Sequence, residues 1–156
     1  MSLLSSITIY TDGSSRGNPG PGGYGIILMY GQHSKELSAG YRLTTNNRME
    51  LMAVIAGLEA ITKKHIPVNI YSDSQYVVRA IEEGWLTNWM RTNFKGGKKN
   101  PDLWRRYHQL AMSFQIKMHW VKGHANNPYN NRCDELATTA ASGKVLLTDE
   151  GYEKGY

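Results

Sequence analysis

At 156 residues, with 40% hydrophobic and 20% charged content, the chain reads as one globular domain rather than a disordered segment. Its net charge of +5 and pI of about 9.3 favour a polyanionic partner. The lone cysteine, Cys133, excludes an intrachain disulfide and a cysteine-built zinc cluster, and it fits a reducing, cytoplasmic setting. No apolar run reaches the roughly 18 residues of a membrane span, and the opening MSLLSS lacks the basic start of a signal peptide. A monomer with no membrane partner is the expectation.

The first predicted element is a strand over Ser5–Thr11, with Ile7 and Ile9 on one face. GNPGPGG, residues 17–23, reads as a turn cluster, and Tyr24–Tyr30 as a second strand. A third strand is predicted over Lys35–Arg42 after a hairpin. From Asn47, NRMELMAVIAGLEAITKK predicts a helix apolar nearly all round, hence central and buried. VNIYSD (Val68–Asp73) predicts a strand, Ser74–Glu83 a helix that stops at Gly84, and Trp85–Met90 a short helix. Pro101–Ser113 reads as helix, Gln115–Val121 as strand, and Arg132 to about Ser142 as the last helix. A basic protrusion is expected at about 85–106 and a loosely packed tail from about 143. The fold class is therefore α/β: a five-stranded mixed sheet, three antiparallel strands followed by two parallel additions, flanked by helices.

Four acids stand out, each with an ordinary structural explanation. Asp12 fits the first half of an Asp-Gly turn, and Glu50 fits a capping box with Asn47. Asp73 fits a helix N-cap, and Asp134 a first-turn acid facing a helix dipole. Their placement suggests more. Asp12 and Asp73 both end short apolar strands, Glu50 begins the helix expected on the sheet, and Asp134 follows the last strand. Carboxylates brought together repel one another and raise each other's pKa. Hard divalent cations relieve that repulsion, and a pair of them supports phosphodiester cleavage. The glycine loop lacks the lysine of a nucleotide-binding P-loop, and its small residues suit close approach of a polynucleotide backbone.

YTDGSSRGNPGPGGYG, TTNNRMEL, YSDSQYV and WVKGHANNPYNNRCDELA closely resemble, in order, the four signature blocks of bacterial type 1 ribonuclease H. The resemblance covers nearly the whole chain and implies a ribonuclease H-like fold. It also implies an endonuclease that hydrolyses the RNA strand of RNA–DNA hybrids, leaving 5′-phosphate and 3′-hydroxyl ends. It implies catalysis by two Mg²⁺ ions, with Mn²⁺ as a substitute, held by Asp12, Glu50, Asp73 and Asp134, and a mobile-loop histidine at His124. Asp12 would be shared by both ions.

For the hybrid partner, Asn18, Asn47 and Gln75 offer amides to sugars and base edges. The resemblance puts Thr45, Asn46 and Arg48 near phosphates of the DNA strand. Trp85 and Trp89, four residues apart, share a helical face beside Arg91, Lys95, Lys98 and Lys99. Arg105 and Arg106 add charge there, with Asp102 the only local opposite. Trp104 and Trp120 are expected in the core. Two departures from the family pattern are a shorter protrusion, with Met90 in place of a lysine, and Asn131 where some members carry an acid. The alternatives are a non-catalytic hybrid-binding module on the same fold, and an integrase-like DNA enzyme.

Overall fold

Residues 7–11 alternate between buried and half-buried side chains, as a strand with one core face must. A computed structural model of the protein describes residues 6–123 and 125–156. Its strands are β1 (Ile7–Ser15), β2 (Gly20–Tyr30), β3 (His33–Thr44), β4 (Val68–Ser72) and β5 (Ile116–Trp120). They form one sheet in the order β3-β2-β1-β4-β5. The pairs β1–β2 and β2–β3 are antiparallel, and β1–β4 and β4–β5 are parallel. The expected mixed sheet is therefore present, with β1 at its centre.

Helix α1 (Asn46–Glu59) buries Met49, Leu51, Met52, Ala53, Val54, Ile55 and Leu58. It is apolar around its circumference because it lies between the sheet and α4 (Pro101–Ala111). Trp104, fully buried on α4, seals that side of the core. Helices α2 (Gln75–Glu82) and α3 (Trp85–Arg91) follow β4.

The opposite face of β1–β3 is covered by α5 (Pro128–Ala141). Gly23, Gly25 and Gly40 set how closely this helix approaches. A Cβ on Gly25 would lie 2.3 Å from the Cys133 carbonyl oxygen, and one on Gly40 would lie 2.1 Å from that of Ala140. These glycines of the sheet serve helix packing. The expectation that the Gly17–Gly23 loop is small for the sake of a polynucleotide backbone fails for Gly20, Gly22 and Gly23, which are buried in β2. Gly25 pairs with Asp12 across the strands, and Cys133 precedes Asp134. Gly25→Ala should therefore destabilise the fold by about 1–3 kcal/mol through overpacking and also lower turnover by pushing Asp134 from Asp12. Urea unfolding and kcat of the same preparation check both effects.

The tail is ordered onto the body rather than loosely packed. Leu147 bridges to Tyr41, and Asp149 caps α6 (Glu150–Lys154). Asp149 is 2% exposed because it accepts from Arg48 and Thr44. A polar side chain that reaches a buried guanidinium is invisible to an apolar pattern, which is why the sequence alone predicts a loosely packed tail. None of the helices among the described residues is long and apolar enough to cross a membrane.

Candidate active site

The parallel pairing of β1 and β4 runs only as far as Tyr10 and Tyr71. Beyond that point β1 continues alongside β2 while β4 ends, so the strands part just where Asp12 and Asp73 emerge. This is the carboxyl end of the parallel strands, where open α/β sheets collect ligands. Glu50 reaches the same place from α1. It comes close because β1 carries Gly13: a Cβ there would lie 2.4 Å from the Glu50 backbone nitrogen. Ligand oxygens of Asp12, Glu50 and Asp73 all lie within 4.8 Å of one another. Asp134 approaches from α5, within hydrogen-bonding reach of the Asp12 carboxyl.

The electrostatics are those of an uncompensated acid cluster. Asp12 is 4% exposed. Burial, reinforced by Asp73 and Asp134, pushes its carboxyl up to about 9. Burial and the charges of Asp12 and Asp73 raise Glu50 well above the carboxylate range, opposed only weakly by the Gly13 backbone N–H. Among the described residues no Lys or Arg pairs with any of the four acids. Glu50 Oε1 is buried without a hydrogen-bond partner. An orphaned oxygen in an all-carboxylate group is a costly arrangement unless a cation accompanies it. The donor set fits a hard divalent ion.

The ordinary explanations for these acids do not hold. Asp12 lies within β1 rather than in a turn. Thr45, not Asn47, caps α1, accepting from the Arg48 backbone N–H. Ser74, not Asp73, caps α2. Helix α5 begins at Pro128 with Asn127 as its cap, so Asp134 lies well inside it rather than in its first turn. None of the four carboxylates is needed as a cap or a turn residue. His124 lies outside the described residues.

A second group of side chains flanks the acids. Asn46 Oδ1 accepts from the backbone and hydroxyl of Ser15, and Asn18 Oδ1 accepts from the Asn46 backbone N–H. Thr45 Oγ1 is likewise occupied as an acceptor. Thr45, Asn46 and Asn18 keep side-chain donors, at the N-terminus of a 14-residue helix. Gln75, exposed at the start of α2, and Asn47 also face solvent.

Arg48 does not join them. It is 0% exposed and bound to Asp102 and Asp149, so the expectation that it meets substrate phosphates is overturned. Its neighbours in sequence are cap and surface, but the helical turn points its guanidinium inward.

On the protrusion, Trp85 and Trp89 stand with ring centroids 6.2 Å apart. Both line a depression of about 550 Å³ that also includes Lys98. Lys95, Lys98, Lys99 and Arg91 are exposed. Asp102 is not the local counter-charge expected there, since it is taken by Arg48, and Arg106 pairs instead with Glu59. Trp120, expected in the core, is 47% exposed and donates its indole N–H to the Asp73 carbonyl at 3.1 Å. Sequence reasoning missed it because an edge strand's last residue carries no burial signal. Gly13 was equally hidden, although its place after Asp12 marked it.

The family model for RNase H matches residues 5–142. This chain belongs to the ribonuclease H family. The ribonuclease H of Desulforamulus reducens is 56% identical over 150 residues, covering 94% of each chain. That of Klebsiella pneumoniae subsp. pneumoniae is 53% identical, covering 96% of this chain and 97% of its own. Among solved structures, LC9-RNase H1, described as a type 1 RNase H with the type 2 active-site motif, superposes with a TM-score of 0.82. It is 29% identical and covers 99% of this chain and 82% of its own. LC11-RNase H1 in complex with RNA/DNA hybrid gives a TM-score of 0.64 at 28% identity, covering 88% of this chain and 97% of its own. The ribonuclease H fold thus accounts for the sheet order, and the acid cluster lies at its centre.

Proposed function

We infer that the chain hydrolyses the RNA strand of RNA–DNA hybrids, leaving 5′-phosphate and 3′-hydroxyl ends. The observation that carries this reading is the convergence of Asp12, Glu50 and Asp73, with Asp134 alongside, in a family whose members bear the name ribonuclease H. Asp12, Glu50, Asp73 and Asp134 would hold Mg²⁺, two ions in the productive complex, with Mn²⁺ as a substitute. Such ions supply charge that favours ionisation of the attacking water and steadies the departing oxygen.

The protein's own groups then position the substrate. Asp12, acted on by both Asp73 and Asp134, would contribute to holding both ions. His124, which falls between β5 and α5 in the sequence, carries an imidazole, a group able to move a proton near neutral pH. Thr45, Asn46 and Asn18, through their side-chain donors, suit phosphate oxygens of the DNA strand. Asn47 and Gln75 add amides for sugar hydroxyls and base edges, where RNA differs from DNA. Trp85 and Trp89, with Arg91, Lys95, Lys98 and Lys99, form a cationic aromatic surface for the same DNA strand. The domain acts as a monomer.

A non-catalytic module would be expected to lack one of the acids, and all four are present. Cleavage of end-labelled hybrid, duplex DNA, duplex RNA and single strands, each with and without Mg²⁺, tests the reading. Magnesium-dependent cutting of the RNA strand of the hybrid alone is expected. Equal cutting of duplex DNA would replace it with the integrase-like reading.

A further inference from the structure

We propose that Tyr156, in the tail, forms part of the surface that grips the DNA strand. The inference rests on the hybrid-binding reading above and adds a segment that no signature block contains. A depression of about 300 Å³ opens beside the N-terminus of α1. Its lining includes Thr45, Asn18 and Asn47, Lys99 from the protrusion, and Tyr152 and Tyr156 from the tail. No acidic side chain lines it. The two acids beneath it, Asp102 and Asp149, are both engaged by Arg48.

The chemistry of these walls selects a ligand class. Thr45 and Asn18 each accept from the backbone and keep their own O–H and N–H groups as donors. Lys99 supplies a positive charge. A donor set with a cation reads an anion, and the aromatic walls add flat apolar area that an isolated phosphate cannot use. A sugar–phosphate backbone uses both. Tyr156 is fixed for this task, because its ring lies over the Arg48 guanidinium with the cation 5.3 Å from the ring centroid. The guanidinium lies against the ring, and the residue, 50% exposed, lines the depression. The tail itself is fastened by Asp149 to the same arginine.

A purely structural role, in which the ring merely covers Arg48, makes a different prediction. The test compares the parent with Tyr156→Ala, Tyr156→Leu and Tyr156→Phe. Dissociation constants for a fluorescent RNA–DNA hybrid are measured in EDTA, KM and kcat in Mg²⁺, and melting temperature for each protein. Tyr156→Ala and Tyr156→Leu should each weaken binding and raise KM by about fivefold, the lower end for an aromatic–nucleotide contact because half the ring is covered. Their kcat and melting temperature should match the parent, and Tyr156→Phe should restore affinity. Parent-like affinity in Tyr156→Ala and Tyr156→Leu overturns the proposal, as does a loss of affinity that tracks a fall in melting temperature. A parent protein that binds the hybrid without cutting it would overturn the hydrolysis reading alone and leave the affinities to judge Tyr156.

Discussion

Asp12→Asn abolishes hybrid cleavage, with a fall on the order of a thousandfold or more, while the protein stays folded. Asparagine keeps the shape of the side chain but removes the charge shared between the two sides of the cluster. Several kcal/mol of transition-state stabilisation depend on charge at such a site, and each 1.36 kcal/mol is about tenfold in rate. The same substitution should stabilise the metal-free protein. The native fold holds the Asp12 carboxyl near 9, against 3.8 ordinarily, chiefly by burying it and then by setting Asp73 and Asp134 beside it. The folded state therefore keeps a proton that the unfolded chain releases. That contribution is fully present below about pH 4 and is lost as pH rises through about 9, with a slope of at most about 1.4 kcal/mol per pH unit. Glu50 shifts in the same direction. Thermal unfolding in EDTA should show stability falling across this window in the parent and a flatter profile in Asp12→Asn. Mg²⁺ should raise the parent's melting temperature most at the alkaline end, where the carboxylates are ionised. An Asp12→Asn protein that cuts hybrid at the parental rate would remove the cluster from the mechanism.

Arg48→Ala should cost about 3–5 kcal/mol of folding stability, the range for breaking a buried charge pair by removing one partner. Arg48 donates through Nε and Nη2 to Asp149, at 2.7 and 2.8 Å. It also donates through Nη1 and Nη2 to Asp102, at 2.9 and 2.7 Å. Asn100 Oδ1 accepts from Nη1 at 3.3 Å. One guanidinium thus joins the start of α1, the start of α4 and the tail. Its removal leaves Asp149 buried with only Thr44 and the Tyr152 backbone N–H as donor partners. Lysine restores the charge but not the planar fork, so Arg48→Lys should recover only part of the loss. Burial works to raise the Asp102 carboxyl, yet the hydrogen bonds and charge of Arg48 hold it below its ordinary value. That contribution is present above about pH 4 and disappears as acid carries the group through its lowered native pKa. Urea midpoints at neutral and acid pH check both points: the difference between parent and Arg48→Ala should narrow in acid. An equal melting temperature for the two proteins would show that the network carries no net stability.

Much of this molecule was legible in the order of its residues. Alternating Ile7 and Ile9, the apolar run from Met49 to Leu58 and the punctuation by glycine and proline specify strands and helices through local periodicity. The four acids could be singled out because they end, begin or follow such elements, and the family blocks implied that they share one site. Boundaries and partners were not legible. Helix α5 starts at Pro128 because Asn127 caps it, and α1 is capped by Thr45, details set by side-chain hydrogen bonds rather than by periodicity. Whether Arg48 meets solvent or two buried aspartates depends on Asp149, about a hundred residues away. Whether Gly25 is loop economy or a seat for α5 depends on the Cys133 carbonyl. Local pattern encodes which face of an element is apolar. The charge and clearance that make these acids a site arise only when distant segments are packed within a few ångströms, where burial and mutual repulsion act.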